Sequence, residues 1–245
     1  MSWLEGKVIA NRHWTDALFS LRVEGVSLGF EAGQFVRIAL DMEEGNEGSR
    51  VARPFSMVNP PGDPVLEFYG IVVPEGPLSP RLARLTPGDT LYVASNPAGF
   101  LVLSEVPPAD TLWLVATGTG IAPFLSILRT EAPWLRYRNV VLVHAVRHAR
   151  ELVYRDEITK IHNLRYVTFV SREAAPGSLA GRIPAAVRDG RLEAAAGLRL
   201  SPETSQVMLC GNPDMLKDTA AALLERGMRK HRRRAPGHVT VESFW

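Results

Sequence analysis

A glycine-rich stretch at residues 116–123, reading Ala-Thr-Gly-Thr-Gly-Ile-Ala-Pro, carries the strongest chemical signal in the chain. An apolar run at 111–115 precedes it, and residues 124–128 follow it with helix-like spacing, so the pattern predicts a strand, a tight turn and a helix. Gly118 and Gly120 can take backbone angles barred to other residues and let a bulky ligand approach the main chain. Because the free amide groups at a helix start attract anions, the stretch predicts a phosphate site.

Two common nucleotide-binding motifs are excluded at this turn. Pro123 occupies the third glycine position of the dinucleotide fingerprint, and no Gly-Lys-Ser/Thr follows, so the turn is not a triphosphate P-loop either. A strand-to-helix turn that binds nothing remains the alternative, because short glycine motifs also arise by chance. The rest of the chain has to decide between the two interpretations.

Three further polar groups directly follow predicted buried strands. They are Val146-Arg147, Ser171-Arg172 and Cys210-Gly211-Asn212-Pro213. Ligands of parallel sheets bind at the carboxyl ends of the strands, so these residues are expected at the same edge as the glycine turn. In the first half of the chain, the tetrapeptide 53–56 (Arg-Pro-Phe-Ser) lies between two predicted strands. It combines a partner for phosphate, an aromatic ring and a hydroxyl.

The composition is that of a soluble globular protein, since 46% of the 245 residues are hydrophobic and 22% are charged. No apolar stretch is long enough to span a bilayer, and the amino terminus lacks the basic and apolar regions of a signal peptide. The single cysteine, Cys210, excludes an internal disulfide and a cysteine-ligated iron–sulfur cluster within the chain. A reducing compartment, the cytoplasm, is therefore expected, with no membrane partner.

Charge and histidine spacing exclude two further classes of function. A formal charge of +2 is too small to indicate a nucleic-acid partner, and the histidines show no metal-ligand spacing, so no metal is expected. His144 stands in a predicted buried strand and is interpreted as a core residue. The positive charge is concentrated at 229–234 (Arg-Lys-His-Arg-Arg-Arg). This basic cluster is either a solvated surface or a docking site for a small acidic partner.

Two halves with different patterns predict two domains. Residues 1–106 show alternating apolar positions and breaks rich in Gly, Pro and Asp, which predict an antiparallel barrel or sandwich with a short helix at 80–85. Residues 107–245 show buried strands alternating with helices, which predict a parallel sheet covered on both faces. The strands of this half are expected at 112–116, 140–145, 166–170, 206–210 and 239–241, with helices at 124–128, 151–161 and 214–224.

The order of these motifs produces a family resemblance. The tetrapeptide 53–56 in a small barrel, then the glycine turn, then Cys-Gly-Asn-Pro at 210–213, resembles the ferredoxin–NADP reductase superfamily. The resemblance to the bacterial ferredoxin/flavodoxin–NADP reductases is closer and covers essentially the whole chain. It is carried by Phe68-Tyr69, Gly76-Pro77-Leu78-Ser79-Pro80-Arg81-Leu82, Val170-Ser171-Arg172-Glu173, Gly181-Arg182-Ile183-Pro184 and the terminal pair Phe244-Trp245.

The resemblance implies a fold and an activity. It implies an antiparallel Greek-key β-barrel that binds FAD at 1–106, and a parallel-sheet, Rossmann-like α/β domain that binds NADP at 107–245. FAD would be held tightly but non-covalently. Hydride would pass between NADPH and FAD, and single electrons between FAD and ferredoxin or flavodoxin. An NADH-dependent reductase of another one-electron acceptor, and a non-catalytic flavin- or nucleotide-binding module, are the alternatives.

The resemblance also implies roles for the barrel residues. Arg53 would face the FAD pyrophosphate, Phe55 would pack against the flavin, and Ser56 would bond near N5, the atom that accepts hydride. Trp245 would cover the flavin and could gate hydride transfer. The implied FAD-binding residues are Arg53, Pro54, Phe55, Ser56, Tyr69, Gly70, Ile71, Val72, Pro77, Leu78, Ser79, Thr119, Phe244 and Trp245.

The choice of NADPH over NADH depends on charge. Arg172 and Arg182 offer the fork of donors that suits a 2′-phosphate, and two solvated surface arginines are the alternative. NADH enzymes more often place an acidic residue there, but Glu173 is interpreted as a partner of Arg172. The implied NADP-binding residues are Thr117, Gly118, Thr119, Gly120, Val146, Arg147, Ser171, Arg172, Arg182, Cys210, Gly211, Asn212, Pro213 and Asp218.

The implied catalytic positions are Ser56, Cys210 and Trp245. Cys210 would shape the nicotinamide pocket without acting as a nucleophile, although a lone cysteine is commonly a small buried apolar residue. The chain is expected to be a monomer whose carrier protein docks on the basic cluster, unless those arginines contact the FAD adenosine or NADP. The chain departs from the family pattern at Phe55, where tyrosine is usual, and at Gly70, which supplies no side chain.

Overall fold

The computed structural model describes residues 2–41 and 50–243. The chain separates into two compact units, residues 1–102 with 122–130, and the rest of residues 103–245. Each unit contains one six-stranded sheet. Within the described residues, no helix is long and apolar enough to cross a membrane.

The first unit is an antiparallel barrel. Its strands are β1 (Trp3–His13), β2 (Leu18–Glu24), β3 (Phe35–Leu40), β4 (Val51–Ser56), β5 (Leu66–Ile71) and β6 (Thr90–Ala94). They lie in the order β4-β3-β6-β1-β2-β5. A bridge between Met57 and Phe68 links the two ends of this order, so the sheet nearly closes. The predicted Greek-key barrel is confirmed.

Alternation along the strands builds the barrel core. Phe19, Leu21 and Val23 are at most 1% exposed and pack with the inward residues of the other strands, so the period-2 pattern places one face of β2 inside. The prediction that residues 53–56 lie between two strands is wrong, because they belong to β4 and pair with β3. Pro54 is tolerated there because β4 stands at one end of the strand order, and proline within sheets is confined mainly to such end strands.

Two short helices group with the barrel. They are α1 (Ser79–Leu82), close to the predicted helix, and α2 (Ala122–Leu128). The buried Ser126 hydroxyl of α2 donates to the carbonyl oxygen of Asn59 at 2.7 Å. Residues 122–130 therefore lie with the first unit although they come late in the sequence. The division into an FAD domain at 1–106 and an NADP domain at 107–245 stays a prediction.

The second unit contains a parallel sheet. Its strands are β7 (Thr111–Thr117), β8 (Asn139–Val146), β9 (Leu164–Val170), β10 (Leu179–Ala180), β11 (Ser205–Gly211) and β12 (Val239–Ser243). They lie in the order β10-β9-β8-β7-β11-β12, and each neighbouring pair is parallel. The predicted Rossmann-like architecture is confirmed. Its central side chains, including Trp113, Phe169 and Leu209, are fully buried.

The helices of this unit are α3 (Ala132–Arg136), α4 (Arg155–Ile158), α5 (Ile183–Arg188), α6 (Arg191–Ala196) and α7 (Pro213–Glu225). The predicted helix at 151–161 is wrong, because a 3₁₀ turn at Ala149–Glu151 and the short α4 take its place. Tyr154 between them has φ +59°, and this left-handed backbone interrupts a continuous helix.

Candidate functional site

The candidate flavin residues of the barrel lie on two strands and one loop. Arg53, Pro54, Phe55 and Ser56 are on β4, Tyr69, Gly70 and Ile71 are on β5 with Val72 after it, and Pro77 and Leu78 precede Ser79 of α1. Ser56 is 3% exposed, and its hydroxyl has no hydrogen-bond partner among the described residues. Leaving a buried polar group unpaired costs roughly 1–3 kcal/mol. The Ser56 hydroxyl is therefore a candidate contact for a bound ligand.

The two departures from the family pattern occur at one place in the barrel. A Cβ built on Gly70 would lie 2.9 Å from ring carbons of both Phe19 and Phe55. The Phe55 ring also meets Phe68 edge to face, with centroids 6.5 Å apart. A side chain at position 70 would push the Phe55 ring away, so glycine at 70 permits the position that the Phe55 ring takes here.

Two side chains anchor the segments that flank α1, namely Ser79, which the sequence analysis predicted, and Asn11, which it missed. The Ser79 hydroxyl accepts from the Val73 amide at 2.9 Å. On β1, the Asn11 amide group donates to the carbonyl oxygens of Ala83 at 3.0 Å and Leu85 at 2.8 Å. Nothing in the sequence pattern marked Asn11, because a polar residue on an alternating strand normally faces solvent.

The glycine turn at the end of β7 is shaped by backbone conformation and by close contact. Gly118 has φ +52° with open space around its Cβ position, whereas a Cβ on Gly120 would lie 2.5 Å from the Cys210 carbonyl oxygen. The two glycines therefore serve different purposes, since Gly118 permits the left-handed angle and Gly120 lets the turn approach β11. The Thr117 hydroxyl accepts from the Asn212 amide at 3.0 Å, which ties the turn to the end of β11.

A buried histidine of β8 also contacts the glycine turn. His144 of β8 is 0% exposed, and its Nε2 lies 3.2 Å from the Gly118 carbonyl oxygen. Burial lowers the pKa of His144 to about 4, so the ring is neutral near pH 7. Since a carbonyl only accepts, Nε2 carries the proton and donates it to Gly118. His144 is thus the predicted core residue, and it also orients the glycine turn.

Cys210 is buried beside a carboxylate that the sequence analysis missed. Burial raises the pKa of the Cys210 thiol, and the negative charge of Glu242 raises it further, which opposes formation of a thiolate nucleophile. Glu242 was missed because only the parallel register of β11 and β12 places it opposite Cys210. The terminal pair Phe244 and Trp245 lies outside the described residues, so its predicted contact with the flavin stays a prediction.

Three arginines follow three adjacent strands at the edge where Thr117 ends β7. Arg147 follows β8, Arg172 follows β9, and Arg182 lies two residues beyond β10, and all three are exposed. The Arg172 amide donates to the Arg147 carbonyl at 3.0 Å and the Ser171 amide to the Val146 carbonyl at 3.1 Å. The sheet therefore brings the predicted basic side chains to one edge.

Asp218, a predicted NADP residue, and the basic cluster stand apart from this arrangement, whereas Asn212 directly follows β11 at the same edge. The Asn212 side chain caps α7 by accepting from the amides of Asp214 and Met215. Asp218 lies five residues into α7, about 8 Å along its axis. The basic cluster precedes β12 and is linked to its first residue through a bridge from Lys230. It therefore lies at the amino edge of the sheet, roughly 15 Å along the strand from the carboxyl edge.

Known proteins of one kind resemble this chain over nearly its whole length. A family model described as an oxidoreductase NAD-binding domain matches residues 114–221. The chain is 53% identical to the flavodoxin/ferredoxin–NADP reductase of Shigella flexneri over 99% of each chain. It is 38% identical to the ferredoxin–NADP reductase of Pseudomonas aeruginosa, over 96% of this chain and 95% of that one. A crystal structure of a ferredoxin NADP+ reductase from Neisseria gonorrhoeae with bound FAD and NADP matches with a TM-score of 0.95, at 33% identity and with both chains fully covered.

Proposed function

The chain belongs to the flavodoxin/ferredoxin–NADP reductase family, and from this membership we propose how its own residues divide the work. It is an FAD-dependent oxidoreductase that transfers electrons between NADPH and flavodoxin or ferredoxin. When bound, FAD supplies the exchange between a two-electron and a one-electron partner, which side chains cannot provide. The residues of the protein therefore bind FAD and the nucleotide, orient them and select NADPH over NADH.

The barrel residues fit a flavin. The buried hydroxyl of Ser56, which has no partner within residues 2–41 and 50–243, is the observation that carries this assignment, because a ring nitrogen beside β4 would satisfy it. Ser56 hydrogen-bonds near flavin N5, and the half-buried ring of Phe55 packs against the isoalloxazine. Arg53 is exposed on the same strand, where its guanidinium can neutralise the pyrophosphate. Tyr69 and Gly70 of β5 complete this side of the site.

The second unit binds NADPH at the carboxyl edge of its sheet. The glycine turn brings backbone amides close to the nucleotide, and Arg147, Arg172 and Arg182 bind the 2′-phosphate. Hydride transfer needs no side chain as acid or base, so Thr119 and Cys210 act as positioning groups. The raised pKa of the Cys210 thiol supports this role, because a protonated, buried thiol is inert.

A spectroscopic titration tests the function directly. The purified protein, loaded with FAD, is titrated under anaerobic conditions with NADPH and, separately, with NADH. We expect NADPH to bleach the flavin absorbance at low concentration and NADH to do so only at much higher concentration. Equal bleaching by both nucleotides would reject the assignment to NADPH, and a protein that takes up no FAD would reject the flavin assignment.

The basic cluster 229–234 is assigned to docking of the acidic carrier protein. Its position at the amino edge, away from the carboxyl ends of the strands, favours this role over contact with NADP. Arg232 and Arg234 are exposed, whereas Arg233 pairs with Glu105 through Nε at 3.0 Å. Exposed charges of one sign raise the rate of encounter with an oppositely charged partner.

Reversing two of these charges is expected to slow reduction of the carrier. In Arg232→Glu/Arg234→Glu, kcat/KM for flavodoxin at low salt should fall about tenfold, and added salt should reduce the difference. The NADPH-dependent rate with ferricyanide, which needs no protein docking, should stay within about twofold by the same reasoning. The control is Arg138→Glu/Lys160→Glu, which changes the net charge equally at two other exposed sites. An equal fall in the control variant would place docking elsewhere.

Two further properties complete the proposal. The protein acts as a monomer, which sedimentation at micromolar concentration tests. It works in the cytoplasm. The single, buried Cys210 supports this compartment, because a chain with one cysteine forms no internal disulfide and such chains are typical of reducing compartments. Fractionation of cells that produce the protein tests the compartment.

A further inference from the structure

Glu173 is the acidic residue beside the proposed phosphate arginines, and it does not use its carboxylate on its neighbour Arg172. Its Oε1 accepts from the Ala149 amide at 2.6 Å, and its Oε2 lies 3.3 Å from Nδ1 of His148. Both partners belong to the loop that follows β8. Glu173 itself belongs to the loop that follows β9, so its carboxylate connects two loops of adjacent strands.

The connected loop after β8 is held by carboxylates at three consecutive amides. The Arg147 amide and the His148 amide donate to Glu151 Oε2 at 2.9 and 3.1 Å. The third amide, that of Ala149, donates to Glu173. Glu151 stabilises the loop after β8 by bonds to nearby amides of that loop, whereas Glu173 connects this loop to the neighbouring loop that carries Arg172.

These contacts engage the ionised carboxylate of Glu173 within the protein. The Ala149 amide, and after it the His148 ring, lower the pKa of the Glu173 carboxyl, so the group is ionised near pH 7. An ionised carboxylate that accepts from a backbone amide makes a stronger hydrogen bond than a neutral acceptor. Both Glu173 oxygens are thus engaged within the protein, which leaves them poorly placed to accept from ribose hydroxyls as an NADH-type acidic residue does.

We propose that Glu173 is a positioning residue for nucleotide choice, which joins the loops carrying Arg147 and Arg172 so that both guanidinium groups meet one 2′-phosphate. This inference rests on the proposed assignment of these arginines to NADPH. Two arginines bind one phosphate tightly when their guanidinium groups are positioned before the phosphate arrives. A mobile arginine side chain loses conformational entropy on binding, and this loss weakens the affinity. Glu173 supplies that preorganisation without touching the nucleotide.

The proposal predicts that removal of the Glu173 carboxylate weakens binding of NADPH, whereas charge repulsion alone predicts stronger binding. Removing a negative charge beside a phosphate should by itself tighten phosphate binding. If Glu173 acts by position, Glu173→Ala should instead raise the KM for NADPH about tenfold, the loss that one charge-assisted hydrogen bond represents. The KM for NADH and kcat with either nucleotide should change less than about twofold, since neither depends on the 2′-phosphate.

The experiment compares four variants of the FAD-loaded protein in steady-state kinetics and in calorimetric binding of 2′,5′-ADP and 5′-AMP. Glu173→Gln keeps an acceptor for the Ala149 amide and should retain most of the affinity for 2′,5′-ADP. Glu225→Ala, which removes an exposed carboxylate paired with Arg188 in the same unit, is the matched control and should behave as the parent. Arg172→Ala tests the assignment on which the inference rests.

The outcomes separate the inference from its premise. Weaker binding of 2′,5′-ADP by Glu173→Ala, with unchanged 5′-AMP binding and recovery in Glu173→Gln, supports the proposal. Unchanged or tighter binding of 2′,5′-ADP overturns it, and so does an equal loss for both nucleotides, which would indicate general damage to the edge of the sheet. If Arg172→Ala also leaves 2′,5′-ADP binding unchanged, the phosphate assignment itself has failed.

Discussion

Replacing Arg182 by alanine is expected to raise the KM for NADPH about 10- to 100-fold while the KM for NADH stays within about twofold. Arg182 is exposed, follows β10 and caps α5 with extended backbone. A guanidinium forms charge-assisted hydrogen bonds to a phosphate, each worth about 1.5–3 kcal/mol, and NADH carries no 2′-phosphate to receive them. The measurement is steady-state kinetics with both nucleotides and ferricyanide as acceptor, so that no carrier protein enters the comparison.

A matched variant separates loss of a phosphate contact from loss of positive charge. Arg199 is an exposed arginine of the same unit, and it lies in the segment before the amino end of β11. Arg199→Ala changes the net charge equally but should leave the ratio of the two KM values unchanged. Equal weakening of NADPH and NADH in Arg182→Ala would mean that Arg182 shapes the site without binding phosphate.

Ser56→Ala is the second large effect that we expect, a fall in kcat of about 10- to 100-fold with little change in the KM for NADPH. The hydroxyl is buried and has no partner among the described residues, so its removal takes away no hydrogen bond within that part of the chain. A contact that orients the flavin at its reactive atom acts mainly on the chemical step, because a small displacement there lengthens the path for hydride. Stopped-flow bleaching of the flavin by NADPH measures the step itself.

The control for Ser56→Ala is a buried serine of the same barrel that has a partner. Ser20 accepts from the Trp14 ring nitrogen at 2.8 Å, so Ser20→Ala should lower the melting temperature but leave the bleaching rate close to that of the parent. The FAD content of both variants is measured first, from the ratio of flavin to protein absorbance. A bleaching rate within twofold of the parent in fully loaded Ser56→Ala would remove Ser56 from the reactive centre.

The structure places the two departures from the family pattern in contact with each other. Phe55 and Gly70 stand on β4 and β5, the two end strands that the near closure of the barrel brings together, and a Cβ at position 70 would collide with the Phe55 ring. Glycine at position 70 therefore leaves room for the aromatic ring at position 55. From the sequence alone they were two separate uncertainties about flavin binding.

The strands and the glycine turn could be predicted from the sequence because each depends on residues that are close together in the chain. The period-2 burial of Phe19, Leu21 and Val23 and the buried runs of the parallel strands predicted both sheets. The glycine turn was readable because the conformation of Gly118 is a property of that residue. The predicted helix at 151–161 failed because the left-handed backbone at Tyr154 is not visible in a hydrophobic pattern.

The sequence by itself determined the fold class, the two sheets, the family and the residues that stand at the carboxyl ends of the parallel strands. These follow from short-range periodicity and from motifs whose order along the chain is informative. Only the tertiary structure decided that Glu242 faces Cys210, that His144 holds Gly118, that Ser56 lacks a partner among the described residues and that Glu173 joins two loops. Each of these facts concerns residues far apart in the chain or a group with no partner, and strand register and burial are set by the packed sheet as a whole.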